Sequence, residues 1–296
     1  MRRILFSMIM LITATGCWAQ TNNSSNSVVL GNTKYKAYTD SLTQIGDLHF
    51  FTTGNFEKAI QSYTKAYKKG GVEAAFMLGR CFFEGLGTEY DRDAAVMLWT
   101  QAARAGNVDA MIKLGECYLF ATGVEADLAN SFQWYNRAHE NGSVEAAYVL
   151  GSFYYGGSVV EKDVEKALKY WTEAADAGMK QAQEALGLEY YEGKNTKRNI
   201  LEGLKYLRMA ADQGAPKAAF YTGLCYEKSY GLPGEDYISA AYYYMVAADA
   251  EIAAAQVRLA NLYYLGLGVE KNPERAAYWL KQAQLNGYVL DSDEEK

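Results

Sequence analysis

Cysteine is rare in this chain, four in 296 residues, yet three of the four keep similar company: Leu78-Gly79-Arg80-Cys81, Leu114-Gly115-Glu116-Cys117 and Thr222-Gly223-Leu224-Cys225. Thiols at matched positions could bridge in pairs, hold a metal as thiolates, or attack a substrate. The companions that such chemistry needs are scarce. Only two histidines occur, His49 and His139, and no cysteine or histidine grouping has metal-ligand spacing, so neither a metal site nor a cofactor site is expected. Ser62-Tyr63-Thr64-Lys65 has the Ser-x-x-Lys spacing that sets a hydroxyl nucleophile one helical turn from an amine, but no Ser-Asp-Asn or Lys-Thr-Gly accompanies it. No catalytic residue is assigned. The fourth cysteine, Cys17, closes Ala14-Thr15-Gly16-Cys17, which has the form of a bacterial lipobox.

What those residues can do depends on the elements that carry them, and the chain is organised by a repeat. Leu78-Gly79 recurs as Leu114-Gly115, Leu150-Gly151, Leu186-Gly187, Thr222-Gly223 and Leu259-Ala260. Four residues before each stands an alanine (Ala74, Ala110, Ala146, Ala182, Ala218, Ala255), and four after it an aromatic (Phe82, Tyr118, Tyr154, Tyr190, Tyr226, Tyr263). Spacing of four and four places all three on one face of a helix, helix A. A glycine-bearing turn follows, and then Asp91, Asp127, Asp163, Asn199 and Asn272 offer N-caps to a second helix, B. Helix B carries a small residue (Ala95, Ser131, Ala167, Gly203, Ser239, Ala276) and, four later, a large one (Trp99, Tyr135, Trp171, Leu207, Tyr243, Leu280). It closes on Gly106, Gly142, Gly178, Gly214 and Gly287, with Ala250 in the fifth copy. Small residues let two helices approach while large ones fill the space beside them, and a pair that cannot bury its own apolar face must stack on others.

The pattern resembles the Sel1-like repeat family, relatives of the tetratricopeptide repeat. Its A-x-x-x-L-G-x-x-Y-x-x-G-x-G motif is best kept over residues 255–268, with Ala260 in place of glycine. The resemblance covers residues 71–287 as six copies, and residues 35–70 read as a tetratricopeptide-like helix pair before them. It implies an all-α fold, a right-handed α-solenoid of stacked antiparallel helix pairs. Within it Cys81, Cys117 and Cys225 occupy one repeat position on the buried face of helix A. Stacked helices are ~8–10 Å apart and a disulfide needs Cα atoms within ~6.8 Å, so these thiols are read as packing.

In the tetratricopeptide relatives, helix-A residues on either side of the leucine line a concave binding face. Carried over copy by copy, that face holds Phe76, Phe83, Ile112, Leu119, Tyr148, Tyr155, Leu188, Tyr191, Phe220 and Tyr264, edged by Glu116, Glu145 and Glu184. Two readings stand: aromatics stacked between neighbouring helices, or an apolar groove with carboxylate edges suited to a protein or peptide carrying Lys or Arg. On the second, Tyr154 and Tyr190 belong to the core, while Tyr155 and Tyr191, one residue on, belong to the groove.

The formal charge of −6 with no basic stripe argues against nucleic acid as partner. Residues 1–19, with Arg2 and Arg3 before a short apolar run, read as a signal peptide; cleavage before Cys17 would leave a lipid anchor, and cleavage before Gln20 a soluble chain. Residues 20–34 read as a flexible tether and 288–296 as an acidic tail. The expectation is an exported, non-enzymatic scaffold of the bacterial envelope, in the periplasm or anchored to membrane only through Cys17. Its competitors are a structural or assembly component of the envelope and a penicillin-active hydrolase of the cysteine-rich type.

Overall fold

The protein is described by a computed structural model that covers residues 28, 30, 31 and 33–289. The expected leader over 1–19 with Cys17, most of the segment expected as a tether, and residues 290–296 of the expected acidic tail lie outside the described residues. Among the described residues there are fourteen α-helices and no strand. They pair in chain order: α1 (Lys36–Asp47) with α2 (Phe56–Tyr67), α3 (Val72–Glu84) with α4 (Arg92–Arg104), and α5 (Val108–Phe120) with α6 (Leu128–Glu140). There follow α7 (Val144–Gly156) and α8 (Val164–Asp176), α9 (Lys180–Glu192) and α10 (Ile200–Asp212), α11 (Pro216–Glu227) and α12 (Tyr237–Asp249), α13 (Ala253–Leu265) and α14 (Pro273–Leu285). The chain divides into two compact units, residues 1–146 and 147–296.

One device recurs in six of the seven pairs, the last having Ala260 in place of the glycine. The glycine of helix A faces the large residue of helix B: a methyl group on Gly79 would lie 2.5 Å from the Trp99 indole nitrogen, and one on Gly115 would lie 2.7 Å from the Tyr135 ring. Gly151 and Trp171, Gly187 and Leu207, and Gly223 and Tyr244 repeat the contact. The first pair shares it too, with Gly46 against Tyr63. The pairs are antiparallel, since Phe82 O accepts from Asp91 N at the turn while Phe76 O accepts from Trp99 Nε1 two turns away. Every helix B opens on a side-chain cap whose Oδ1 accepts a backbone N–H: Asn55 from Lys58 (3.1 Å) in the first pair, Asp91 from Ala94 (2.9 Å) in the second, and Asn272 from Arg275 (2.9 Å) in the last. Successive pairs stack within each unit, tied by Tyr67 to Gln101 (2.9 Å) in the first and Tyr243 to Asp212 (2.8 Å) in the second.

The fifth copy corrects the sequence register. Its cap is Asp236, its small residue Ala240 and its large one Tyr244, rather than Ser239 and Tyr243. The residue that turns left-handed after its helix B is Glu251 (φ 63°), not Ala250 (φ −89°). Gly223 and Tyr244 stand twenty-one residues apart, against twenty between Gly79 and Trp99 or Gly187 and Leu207, so one inserted residue slides every later position by one.

Candidate functional site

In the first unit, the exposed side of helix A is built on the tryptophan beneath it. Trp99 is fully buried, and its Nε1–H donates to Phe76 O at 3.1 Å. Its orientation is thereby set, and the rings of Phe83 and Phe76 settle 5.0 and 6.4 Å from it. With Arg80 and Glu84 of α3 and Lys113, Glu116, Cys117 and Phe120 of α5, these rings line a cavity of 330 Å³ between the A helices of the first two copies. The charged groups of its walls are paired, Arg80 with Glu84 at 2.9 Å and Lys113 with Glu116 at 2.6 Å. Half-exposed pairs of this kind add little stability, but they set where the side chains stand. Phe120 is 71 % exposed at the rim, an apolar side chain turned largely to solvent.

Beside the cavity runs a line of carboxylates at one helix-A position: Glu73, Asp109 and Glu145. Burial and the charge of Asp109 push Glu73 up from its ordinary value, and burial and Glu116 push Glu145 up. Lys113 beside Glu145, and the Asn107 amide that donates to Glu73 at 2.9 Å, offset only part of this.

The second unit arranges the same positions differently. The Tyr155 ring packs 4.9 Å from Trp171, and its hydroxyl donates to Glu189 at 2.7 Å while accepting from the Asn195 amide. Burial, with the hydrogen bond to Glu189, pushes this phenol up to about 12. Tyr191 meets Tyr221 edge-on at 5.1 Å, Phe220 lies 6.1 Å from Tyr244, and Tyr148 lends its carbonyl to Trp171 Nε1 at 3.1 Å. Tyr148, Leu188, Tyr191 and Phe220 are half-buried, whereas Tyr264 is exposed.

Two expectations change. Ile112 is buried and offers a partner no surface. Tyr155 does not stand apart from the packing, and Tyr154 is not enclosed by it. Tyr154 is half-buried, stacks on Tyr170 at 5.7 Å, and takes a hydrogen bond from Lys166 at 2.8 Å. A phenol is long enough to reach from the helix interface to water, so one residue of helical rotation does not sort core from surface. Leu119, Glu116 and Glu184 are half-buried; Glu145 is exposed as a residue, with neighbouring protein screening its carboxylate from water on one side. Glu227 is engaged: burial alone would raise it, but the Tyr244 hydroxyl, Lys228 and Arg258 hold it below the usual carboxylate range.

Cys81, Cys117 and Cys225 are buried and unbridged, and burial pushes their thiols up to about 12, 11 and 12. Such thiols are protonated and unreactive at neutral pH. Ser62 is half-buried on α2 and Lys65 is exposed. Among the described residues no group of three or more acidic, histidine or cysteine side chains is placed to hold a metal ion, and no helix is long and apolar enough to cross a membrane. The residues that sequence reasoning missed are Trp99, Asn195 and Glu189. Trp99 was visible as a large packing residue, but nothing in its spacing marked it as the floor of a cavity.

The Sel1 repeat family model matches residues 72–107, 108–143, 144–179, 180–214, 216–251 and 253–288. Among solved structures, a protective antigen of uropathogenic Escherichia coli displaying an SLR fold is similar at TM-score 0.76 and 28% identity, over 86% of this chain and 55% of its own. The present chain thus spans about half the length of that protein. A Sel1 repeat protein from Oxalobacter formigenes is similar at TM-score 0.68 and 28% identity, over 82% of this chain and 96% of its own. No curated protein matches the chain.

Proposed function

The chain belongs to the Sel1 repeat family, and on that premise we propose that it is an exported scaffold of the bacterial envelope that holds a protein or peptide partner on its helix-A side. Sel1 repeats generally mediate protein interactions. The observation that carries the reading is the 330 Å³ cavity between α3 and α5, with Phe76, Phe83 and Trp99 as an apolar floor and Phe120 at its rim. Anchors at interfaces are large side chains seated in pockets of this kind, surrounded by polar groups that exclude water. The partner contributes such an anchor beside Lys or Arg. A cation laid along Glu73, Asp109 and Glu145 offsets the like charges that, together with burial as the larger cause, raise Glu73 and Glu145. The leader at residues 1–19 supports export.

A photoreactive residue at Phe83, compared with one at the exposed Arg104 on α4, tests this in native cells. The expected result is an adduct from position 83 only, in the envelope fraction, lost with Glu116→Lys and weakened by salt. Equal labelling from both positions would overturn the binding face, and recovery from the cytosol would overturn export.

A further inference from the structure

The outer side of the B helices changes character along the chain. Four positions of each B helix, spaced four, three and four residues apart, share one face turned away from helix A. In the first three copies these positions are polar or small, as in Asp93, Gln133, Glu165 and Lys169, with Met97 the exception. In the last three copies they hold Leu201 on α10, Ile238, Tyr242 and Met245 on α12, and Tyr278 and Leu285 on α14. All six are exposed, from 36 % for Met245 to 73 % for Ile238. They occupy matched or neighbouring positions on helices of one unit, where Tyr243 ties α12 to Asp212 of α10 and Trp279 of α14 packs into the same core as Tyr243. The helices' own inward faces are complete, so packing within the pairs does not account for these side chains.

We propose that this face is the interface of a homodimer, with the B helices of copies four to six of one chain set against those of a second. Two properties favour a second copy over other occupants. The six side chains expose on the order of 700 Å², above the largest patch of a typical monomer and close to the ~800 Å² per partner of a standard stable interface. The remaining positions of the face balance in charge, with Lys205, Arg208 and Lys281 against Asp212, Asp249 and Glu274. A neutral face of mixed sign meets its own copy without net repulsion, and a two-fold axis requires the same patch on both sides. It gives neither an acidic membrane nor a strongly charged peptide a field to follow.

The test is sedimentation equilibrium on the chain purified from cells, compared with the double variant Tyr242→Glu/Tyr278→Glu and with Phe83→Ala as a control in the helix-A cavity. The wild type and Phe83→Ala are expected to be dimers at micromolar concentration. The double variant should associate at least about tenfold more weakly while keeping its helical circular dichroism and melting temperature. A second variant, Ile238→Lys, should do the same. A monomeric wild type, a dimer that survives both substitutions, or co-sedimentation of the wild type with anionic phospholipid vesicles would overturn the proposal. Because Phe83→Ala leaves this face intact, failure of the helix-A binding reading would not register here.

Discussion

Glu251 stands at φ 63°, the conformation that glycine adopts after the B helices of the other copies, as at Gly106 (φ 95°) and Gly142 (φ 88°). A side chain in that region crowds the following carbonyl, and glycine relieves it. Glu251→Gly is expected to raise stability by about 0.5–1 kcal/mol, read as an increase in melting temperature; a decrease would mean that the Glu251 side chain makes a stabilising contact. The cysteines teach a related lesson at the same scale. A residue with reactive chemistry, placed three times at one buried repeat position, serves as a small apolar side chain, and burial suppresses the ionisation that its chemistry would need.

Six of the seven helix pairs share one close approach, between a helix-A glycine and a large residue of helix B. In α7 a methyl group at Gly151 would collide with the Trp171 indole, which is held in place by its hydrogen bond to Tyr148 O. Gly156, in the last position of the same helix, has open space around it. Gly151→Ala should therefore cost about 1–3 kcal/mol by overpacking, while Gly156→Ala should be neutral or slightly stabilising through helix propensity. Thermal melts of the two variants side by side check this, and an equal effect would show that the glycine is not the hinge of the packing. Tyr155, five residues after Leu150, acts at this scale as well. Tyr155 joins Trp171 of its own pair to Glu189 and Asn195 of the next, so it is a tie between neighbours whether or not a partner also touches it.

The molecule as a whole carries two opposed sets of carboxylates, and they shape its response to acid. Asp127 is held below its ordinary value by the backbone N–H and side-chain amide of Asn130, and Asp236 by the hydroxyl and backbone N–H of Ser239. A depressed folded pKa contributes stability above the unfolded value of ~3.9 that is lost as pH falls through the folded one. Glu73 and Glu145 are raised by burial and by their neighbours Asp109 and Glu116, so ionising them destabilises the fold at neutral pH, and protonation relieves that cost as pH falls toward the unfolded value of ~4.3. Stability should accordingly rise modestly from pH 7 to about 5 and fall below about 4. Melting curves across that range test it, and Glu73→Gln should flatten the rise. A steady decline from pH 7 to 5 would show that the acidic line is already compensated.

The sequence by itself determined the helices, their pairing and the buried face of each A helix. A period of thirty-six residues with alanine, leucine-glycine and aromatic at fixed spacing admits one helical face, and an Asp or Asn before each B helix satisfies the orphan N–H groups wherever the pair sits. It also determined that the cysteines are packing, because one repeat position has one environment. Only the tertiary structure decided which helix-A side chains are surface. Ile112 and Tyr155 occupy positions that the resemblance to tetratricopeptide relatives assigns to the groove, yet burial depends on what the neighbouring pair and its loop place above them: Asn195 reaches Tyr155 from a turn that departs from the repeat, and Ile112 is covered. The one-residue slip of the fifth copy was hidden for a similar reason. Ser239 and Ala240 are both small, and Tyr243 and Tyr244 are identical in type, so only the contact of Tyr244 with Gly223 distinguishes them. The cavity over Trp99 and the exposed apolar face of α10, α12 and α14 are likewise properties of adjacent pairs rather than of any single repeat, because side chains separated by a full repeat meet only when the pairs stack.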